Sequence, residues 1–390
     1  MTQALLTLNA GSSSLKFSLF TLDGEVPERR YVGAFDRGGA PGEVAITSVD
    51  GDRSLLVLDE PGELASAFAA VLAWCEGRDD FGEIVAVGHR VVHGGMDHTA
   101  PVVLSDDVIA DLAKLSPLAP LHQTHNLAGV EQAKAAFPKA LQVGCFDTAF
   151  HRTHPFVNDT FALPHRYYAE GVRRYGFHGL SYDYVSGSLD PGVREGRVII
   201  AHLGNGASMC ALKGGHSVGS TMGFSALDGL PMGTRCGQID PGVLLYLMQE
   251  HGMDADAIST LLYKESGLKG MSGLTNDMRV LLASDDPRAK ESLDYFVFRI
   301  QREIGGMTAV LGGLNALVFT GGIGENAAPI RQRVCEGFGW LGMTLDEGAN
   351  AANAGKISSA GSAIDVLVVP TDEEGKIARY TASLLSSHHE

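Results

Sequence analysis

Two stretches far apart in this 390-residue chain read as copies of one unit. Leu5–Phe20 runs strand, then Asn9-Ala10-Gly11-Ser12-Ser13-Ser14, then strand. Val198–Leu212 runs strand, then Gly204-Asn205-Gly206-Ala207-Ser208, then strand. Each is a hairpin whose turn consists of small, donor-rich residues. The copies lie too far apart for a stacked solenoid, so the repeat points to two domains of related build. Length agrees, being a prior for two or three domains that each bury a core.

Further short apolar runs, Ile84–Val87, Leu141–Phe146, Ala316–Thr320 and Ile364–Val369, have the length and Val/Ile/Leu content of buried strands. Helical spacing separates them. Leu64, Phe68, Val71, Leu72 and Cys75 follow Pro61, and Val108, Leu112 and Leu115 follow Ser105, a candidate N-cap. From Arg288 to Leu311, Leu293, Phe296, Val297, Ile300, Ile304, Met307 and Leu311 make one stripe. Asp240-Pro241 marks the start of another helix running towards His251. Strands alternating with helices give an α/β architecture.

With 45% apolar and 19% charged residues, the chain lacks the composition of a disordered one. A formal charge of −16 argues against a general nucleic-acid binder, and any anionic ligand needs a local reversal of the field. No apolar run approaches the roughly 18–20 residues that span a bilayer. The five scattered cysteines form no CxxC pair, and MTQALLTLNAGSSS has no basic n-region. A cytoplasmic protein with no membrane partner is expected.

The first turn, ending at Lys16, gathers backbone N–H groups, hydroxyls (Ser12 and Ser14 among them) and an ammonium, as a phosphate cradle requires. An ordinary tight hairpin remains the alternative. Leu317–Asn326 is a strand feeding a glycine-rich turn, Gly321-Gly322-Ile323-Gly324, into a helix. It contains Gly-x-Gly-x-x-Ala, but no acidic strand end follows as a dinucleotide site demands. A glycine turn lying against a nucleotide base or ribose is the better reading. Arg90 (in GHRVVHGG), Arg235 (in MGTRCG) and Arg279 (in TNDMR) sit where a guanidinium can grip a carboxylate or phosphate; the other arginines are read mostly as solvated. The pairs His89/His93, His122/His125 and His151/His154 have cheap metal spacing and carry no metal reading. His178, between glycines in YGFHG, is placed to donate to an oxyanion. Asp147 and Glu373 stand where open α/β sheets meet ligands and Mg²⁺, although Asp147 could equally cap a helix.

Taken in order, these strings resemble the acetate kinase family, within the acetate and sugar kinase, heat-shock ATPase and actin superfamily. The resemblance runs from Leu8–Lys16 to Thr371–Glu374, with GHRVVHGG, Leu118–His122, Phe146–His151, YGFHG, His202–Ser208, Met232–Gly242 and Phe319–Asn326 between. It implies two duplicated ribonuclease-H-like domains, residues 1–147 plus 371–390 and residues 148–370, with the active site in the cleft between them, and a homodimer. It implies ATP phosphates held by Asn9, Ser12, Ser14, Lys16, His202, Gly204, Asn205 and Gly206. Adenosine would meet Asp277, Met278, Arg279, Gly322, Ile323, Gly324 and Asn326. Mg²⁺ would be anchored by Glu373 and Asn9 with Asp147 close by. Arg90 and Arg235 would bind the acid and the moving phosphoryl group, and His178 would donate to it. Val92, Leu121, Phe177 and Ala226 would line the acyl pocket.

The reaction implied is acetate plus ATP giving acetyl phosphate plus ADP, by direct in-line transfer. Loss of either arginine should then depress kcat more than folding. Departures from the family pattern cluster near the acyl pocket: Ser225-Ala226-Leu227-Asp228-Gly229 replaces Thr-Pro-Leu-Glu-Gly, Gln123-Thr124-His125 replaces Asn-Pro-Pro, and Phe177-His178-Gly179-Leu180-Ser181-Tyr182 replaces Phe-His-Gly-Thr-Ser-His. One methylene in an apolar pocket discriminates by only about 1–3 kcal/mol, which keeps propionate or a broader acid range open. A superfamily ATPase acting on a protein partner is the other class of function, and a dinucleotide-dependent oxidoreductase a third.

Overall fold

The computed structural model describes residues 3–11, 14–24, 26–37, 40, 42–78, 80–119 and 122–388. They form two compact units, Met1–Ala149 with Asp372–Glu390, and Phe150–Thr371.

The first unit is built on one sheet. Its strands are β1 (Gln3–Ala10), β2 (Ser14–Thr21), β3 (Glu28–Asp36), β4 (Glu43–Ser48), β5 (Arg53–Val57), β6 (Glu83–Val91), β7 (Val102–Val103) and β8 (Leu141–Phe146), in the order β5-β4-β3-β2-β1-β6-β8-β7. The first hairpin is its centre: β1 runs antiparallel to β2 and parallel to β6. Successive β1 side chains point to opposite faces. Leu6 and Leu8 join Phe17, Phe68, Val71 and Leu72 under the helix Leu64–Glu76, whereas Leu5 meets Ala378 and Leu385 of the C-terminal helix Glu373–His388. Burying a Phe or Leu of this kind stabilises by about 1.5–3 kcal/mol. A Cβ at Gly88 would lie 2.3 Å from Thr381 Oγ1, so glycine is what lets the C-terminal helix seat on β6.

The second unit repeats the pattern with β9 (Arg197–Leu203), β10 (Ala207–Lys213), β11 (His216–Ser220), β12 (Ala316–Thr320) and β13 (Asp365–Val368), ordered β11-β10-β9-β12-β13. Here β9 is antiparallel to β10 and parallel to β12, as β1 is to β2 and β6. The series β3-β2-β1-β6-β8 and β11-β10-β9-β12-β13 are the same ribonuclease-H-like arrangement, so the two hairpins are equivalent parts of duplicated sheets. The long helix, Pro287–Leu311, begins at Asp286, whose side chain accepts the Arg288 N–H at 2.8 Å, and stops at Gly312 with φ 73°. Its stripe is buried as expected except Met307, whose place is taken by Thr308. Ser105 and Asp240 cap their helices.

β3, β4 and β5 were not expected. In β3, ERRYVGAFD, only Gly33 and Phe35 are buried, and its five-residue apolar stretch, residues 31–35, is short and interrupted by a glycine. No helix among the described residues is long and apolar enough to cross a membrane.

Candidate active site

In the first unit, the strand ends bring polar groups together. Asn9, near the end of β1, accepts from Arg90 Nη1 at 2.9 Å through Oδ1, and its Nδ2 donates to Glu373 Oε2 at 3.1 Å and Glu374 Oε1 at 3.2 Å. Arg90, near the end of β6, grips Asp147 Oδ2 with Nε at 3.0 Å and Nη2 at 2.5 Å. Asp147 follows β8, is fully buried, and its Oδ1 has no hydrogen-bond partner among the described residues. Asp147 is therefore no helix cap; its carboxylate is committed to Arg90. Burial works against the Arg90 cation, but the Asp147, Glu373 and Glu374 carboxylates outweigh it and hold the guanidinium charged. Burial and the neighbouring Glu373 raise the Glu374 carboxyl. Lys16 pairs across the hairpin with Asn9, and Gly11 N donates to Ser14 O at 2.8 Å to close the turn. Ser12 lies outside the described residues, as does Leu121. Val92 is buried, its N–H donating to Asn126 Oδ1 at 2.9 Å, while Asn126 Nδ2 donates to Ala10 O at 2.7 Å.

In the second unit, five of the expected segments converge. The turn after β9 is closed by Gly204 N donating to Gly206 O at 3.0 Å. A Cβ at Gly206 would lie 3.2 Å from His178 Nε2 and 3.9 Å from Arg235 Nη1; one at Gly204 would lie 3.9 Å from both His202 Nε2 and Gly322 N. Asn205 receives the Gly233 N–H on its carbonyl at 3.0 Å and Asn276 Nδ2 on its Oδ1 at 3.0 Å, which ties in the segment before Asp277. An imidazole and a guanidinium thus flank one glycine turn, a combination that suits an anion.

His178 holds a left-handed conformation, φ 57°, just ahead of the helix Gly179–Ser188. Its ring stacks on His202, centroids 4.3 Å apart, and its Nδ1 meets Ser208 Oγ at 2.8 Å. His202 Nδ1 in turn meets Ser181 Oγ at 2.8 Å. Arg235 Nη1 also donates to Ala226 O at 3.3 Å, and Phe177 is buried.

The glycine-rich turn after β12 opens with Gly321 at φ 75°, where a Cβ would stand 2.8 Å from Leu203 O. Only glycine fits there without strain. Gly322 is open to solvent, Ile323 half-buried and Asn326 exposed, whereas Gly324 packs on Phe319 and Ala201 backbone. Asp277 caps the helix Met278–Leu282 and is held at about 2 by Arg279, whose exposed side chain folds back on it. Met278 is buried between them.

The Acetokinase family pattern matches residues 4–379. The chain belongs to this family. It is 54% identical to the acetate kinase of Methylocella silvestris over 99% of this chain and 98% of that one. Among solved structures, it resembles Porphyromonas gingivalis acetate kinase at 38% identity and TM-score 0.86, covering 98% and 100% of the two chains. It also resembles a Francisella tularensis propionate kinase at 34% identity and TM-score 0.90, covering 98% and 99%.

Against the acetokinase pattern, the replaced residues acquire definite roles. Gln123 is buried and donates to His93 O and Leu112 O, each at 3.1 Å, bridging the segment after β6 to the helix Asp106–Ala113. Tyr182 reaches Ser208 at 2.5 Å. Three of the paired histidines are held by neighbouring side chains: His89 binds Gln142 at 2.8 Å, and His151 and His154 share Ser217 at 2.9 and 2.8 Å.

Sequence reasoning missed Asn126, Glu374, Ser181, Tyr182 and Arg331. Arg331 overturns the solvated reading: it is fully buried and donates from Nη1 to Gly324 O at 2.8 Å and Glu325 O at 2.9 Å, clamping the far side of the glycine turn. The one available signal was its place in a helix directly behind that turn.

Proposed function

We propose that this acetokinase family member reversibly transfers the γ-phosphoryl group of ATP to acetate, giving acetyl phosphate and ADP. The observation that carries the reading is the approach of His178 Nε2 and Arg235 Nη1 to the Gly204–Gly206 turn. A carboxylate with a pKa of about 4–5 is already ionised at neutral pH, so the nucleophile needs no general base. Catalysis then consists of alignment and of neutralising charge on the transferring group. In this reading Arg90 binds the acid's carboxylate, and Asp147 and Asn9 hold its fork in place. Arg235 and the turn N–H groups balance the phosphoryl charge, His178 donates to its oxygens, and Asp277, Arg279, Gly322, Ile323 and Asn326 seat the adenosine.

A magnesium ion suits the oxygen groups Asn9, Glu373 and Asp147, the last with a buried oxygen that has no partner among the described residues. No three acidic, imidazole or thiol groups among the described residues suffice to hold an ion alone, as expected for Mg²⁺, which keeps waters and leans on substrate phosphates. When bound, it would supply positive charge to the phosphates.

The helix Pro241–Glu250 buries none of its residues yet carries Val243, Leu245, Tyr246 and Met248, each at least 41% exposed. This supports a homodimer, which Leu245→Glu should weaken in sedimentation. Five free cysteines, four of them buried, support a cytoplasmic setting.

Propionate is the second reading, favoured by Ala226 and by the likeness to a propionate kinase. Incubation with MgATP and a series of short acids, trapping acyl phosphate as hydroxamate, tests both. Acetate is expected to give the highest kcat/KM. ATP hydrolysis without hydroxamate from any acid would refute the proposal.

A further inference from the structure

The His178 ring is backed by a relay of hydroxyl groups whose protons can be counted. Nδ1 lies 2.8 Å from Ser208 Oγ, and Ser208 Oγ lies 2.5 Å from the Tyr182 hydroxyl. Tyr182 sits one helical turn beyond His178, and Ser208 comes from β10; both are 0% exposed. Among the described residues, the Tyr182 hydroxyl has a single hydrogen-bond partner, Ser208 Oγ.

Each hydroxyl has one proton to give. If Ser208 gave its proton to Tyr182, the phenol proton would be left without an acceptor in a dry interior, an arrangement native proteins avoid. Tyr182 therefore donates to Ser208, and Ser208 donates to Nδ1. Nδ1 is an acceptor, so the ring's own proton must reside on Nε2. Nε2 is the nitrogen that faces Gly206.

We propose that Tyr182 and Ser208 are positioning residues that fix His178 as the neutral Nε2–H tautomer, presenting a donor rather than a lone pair to the transferred phosphoryl group. The inference rests on the role given to His178 above. It has a second consequence. An imidazolium donates from both nitrogens, which would reverse the relay and strand the Tyr182 proton, so the relay also opposes protonation. The titratable and charged groups that face His178 work in the same direction: Tyr182 on its own helix, His202 stacked from β9 at 4.3 Å, and Arg235, which approaches the same Gly206 position. Behind Tyr182 lie His151, ring centroids 5.6 Å away, and Cys210, whose thiol burial pushes up to about 12. Neither carries a negative charge near neutral pH.

Two measurements on the full chain test the proposal. In protein labelled with ¹⁵N-histidine, with the His178 signals assigned by their loss in His178→Gln, the wild type should show an unprotonated Nδ1 and a protonated Nε2 near neutral pH. In Ser208→Ala, Nδ1 loses the hydroxyl that donates to it, so the Nδ1–H tautomer should appear beside the Nε2–H one, whereas Tyr182→Phe keeps the Ser208 donor and should keep the wild-type tautomer. The second measurement is the pH profile of kcat with acetate. Ser208→Ala should lose about tenfold at about pH 8, and much less at about pH 6, where an imidazolium supplies the Nε2 proton regardless. A purely structural role would lower the rate by the same factor throughout. A wild-type His178 protonated on Nδ1, or a Ser208→Ala protein with unchanged tautomer and profile, would overturn the inference. Full activity in His178→Gln would instead remove the donor role itself, while the wild-type spectrum still reads the tautomer separately.

Discussion

Replacing Gly206 by alanine adds one methyl group where His178 and Arg235 of the second unit approach the glycine turn. The new Cβ would stand 3.2 Å from His178 Nε2, 3.5 Å from its Cε1 and 3.9 Å from Arg235 Nη1, against an ordinary limit of 3.4 Å. The imidazole must therefore retreat by a few tenths of an ångström. Gly206 is outside the positive-φ region, so alanine strains no backbone. Removing the glycine also stabilises by about 0.4–1 kcal/mol through the unfolded chain, which offsets most of the overlap. Folding stability should stay within about 1 kcal/mol of wild type. Activity should not. A misplacement of 1 Å costs about a hundredfold, and loss of one oxyanion donor about 10²–10³-fold. A smaller shift combined with a methyl in the phosphoryl position should lower kcat about 30- to 100-fold. The assay is hydroxamate formation from MgATP and acetate, with urea unfolding alongside. A Gly206→Ala enzyme of normal stability and normal kcat would refute the placement of the transferring group at this turn.

Two other perturbations separate folding from chemistry. Arg90→Ala leaves the buried Asp147 without its cation, so it should cost about 3–5 kcal/mol in urea unfolding as well as activity; here the expectation that kcat suffers more than folding changes, and an unaltered unfolding midpoint would contradict the pairing. Burial holds His89 and His154 at about 4 despite ordinary unfolded values of about 6.5. A histidine with a depressed folded pKa stabilises fully above its unfolded value, and that contribution disappears as pH falls through the folded one. Each should therefore withdraw roughly 3 kcal/mol between about pH 6.5 and 4. His89→Gln should flatten this slope in urea unfolding across that range, and an unchanged slope would show that His89 takes no part.

What could be read in advance followed from local chemistry. The hairpins of β1 with β2 and β9 with β10, the stripe of the long helix and the glycine turn after β12 depend on neighbours in sequence, and each stands where the residues placed it. β3 escaped because only Gly33 and Phe35 are buried in it while Val32 and Ala34 are exposed, so its short apolar stretch is broken by a glycine and flanked by charges, a pattern a surface loop shares. Of the candidate groups, Arg90 in the first unit and His178, Arg235 and Gly206 in the second could be picked out as residues, since these types have few other reasons to occur in such turns. Their support could not. Asn126 ties Ala10 to Val92, Tyr182 reaches Ser208 on another element, and Arg331 is buried among carbonyls. Such pairings join residues remote in sequence, and nothing in an isolated Asn, Tyr or Arg announces them. Arg331 lies on a helix with polar neighbours, Gln332 and Arg333, and its burial comes from the Gly324 and Glu325 carbonyls and from Asn350 and Asn353 packed around it.

The central claim is that the γ-phosphoryl group of ATP passes to a short-chain carboxylate. Phosphorus NMR of one sample holding the protein, MgATP and acetate reads this directly. The account predicts that the γ-phosphate signal is replaced by acetyl phosphate in step with ADP, and that added ADP and acetyl phosphate regenerate ATP. ADP accompanied only by inorganic phosphate, with no acyl phosphate signal in either direction, would contradict it.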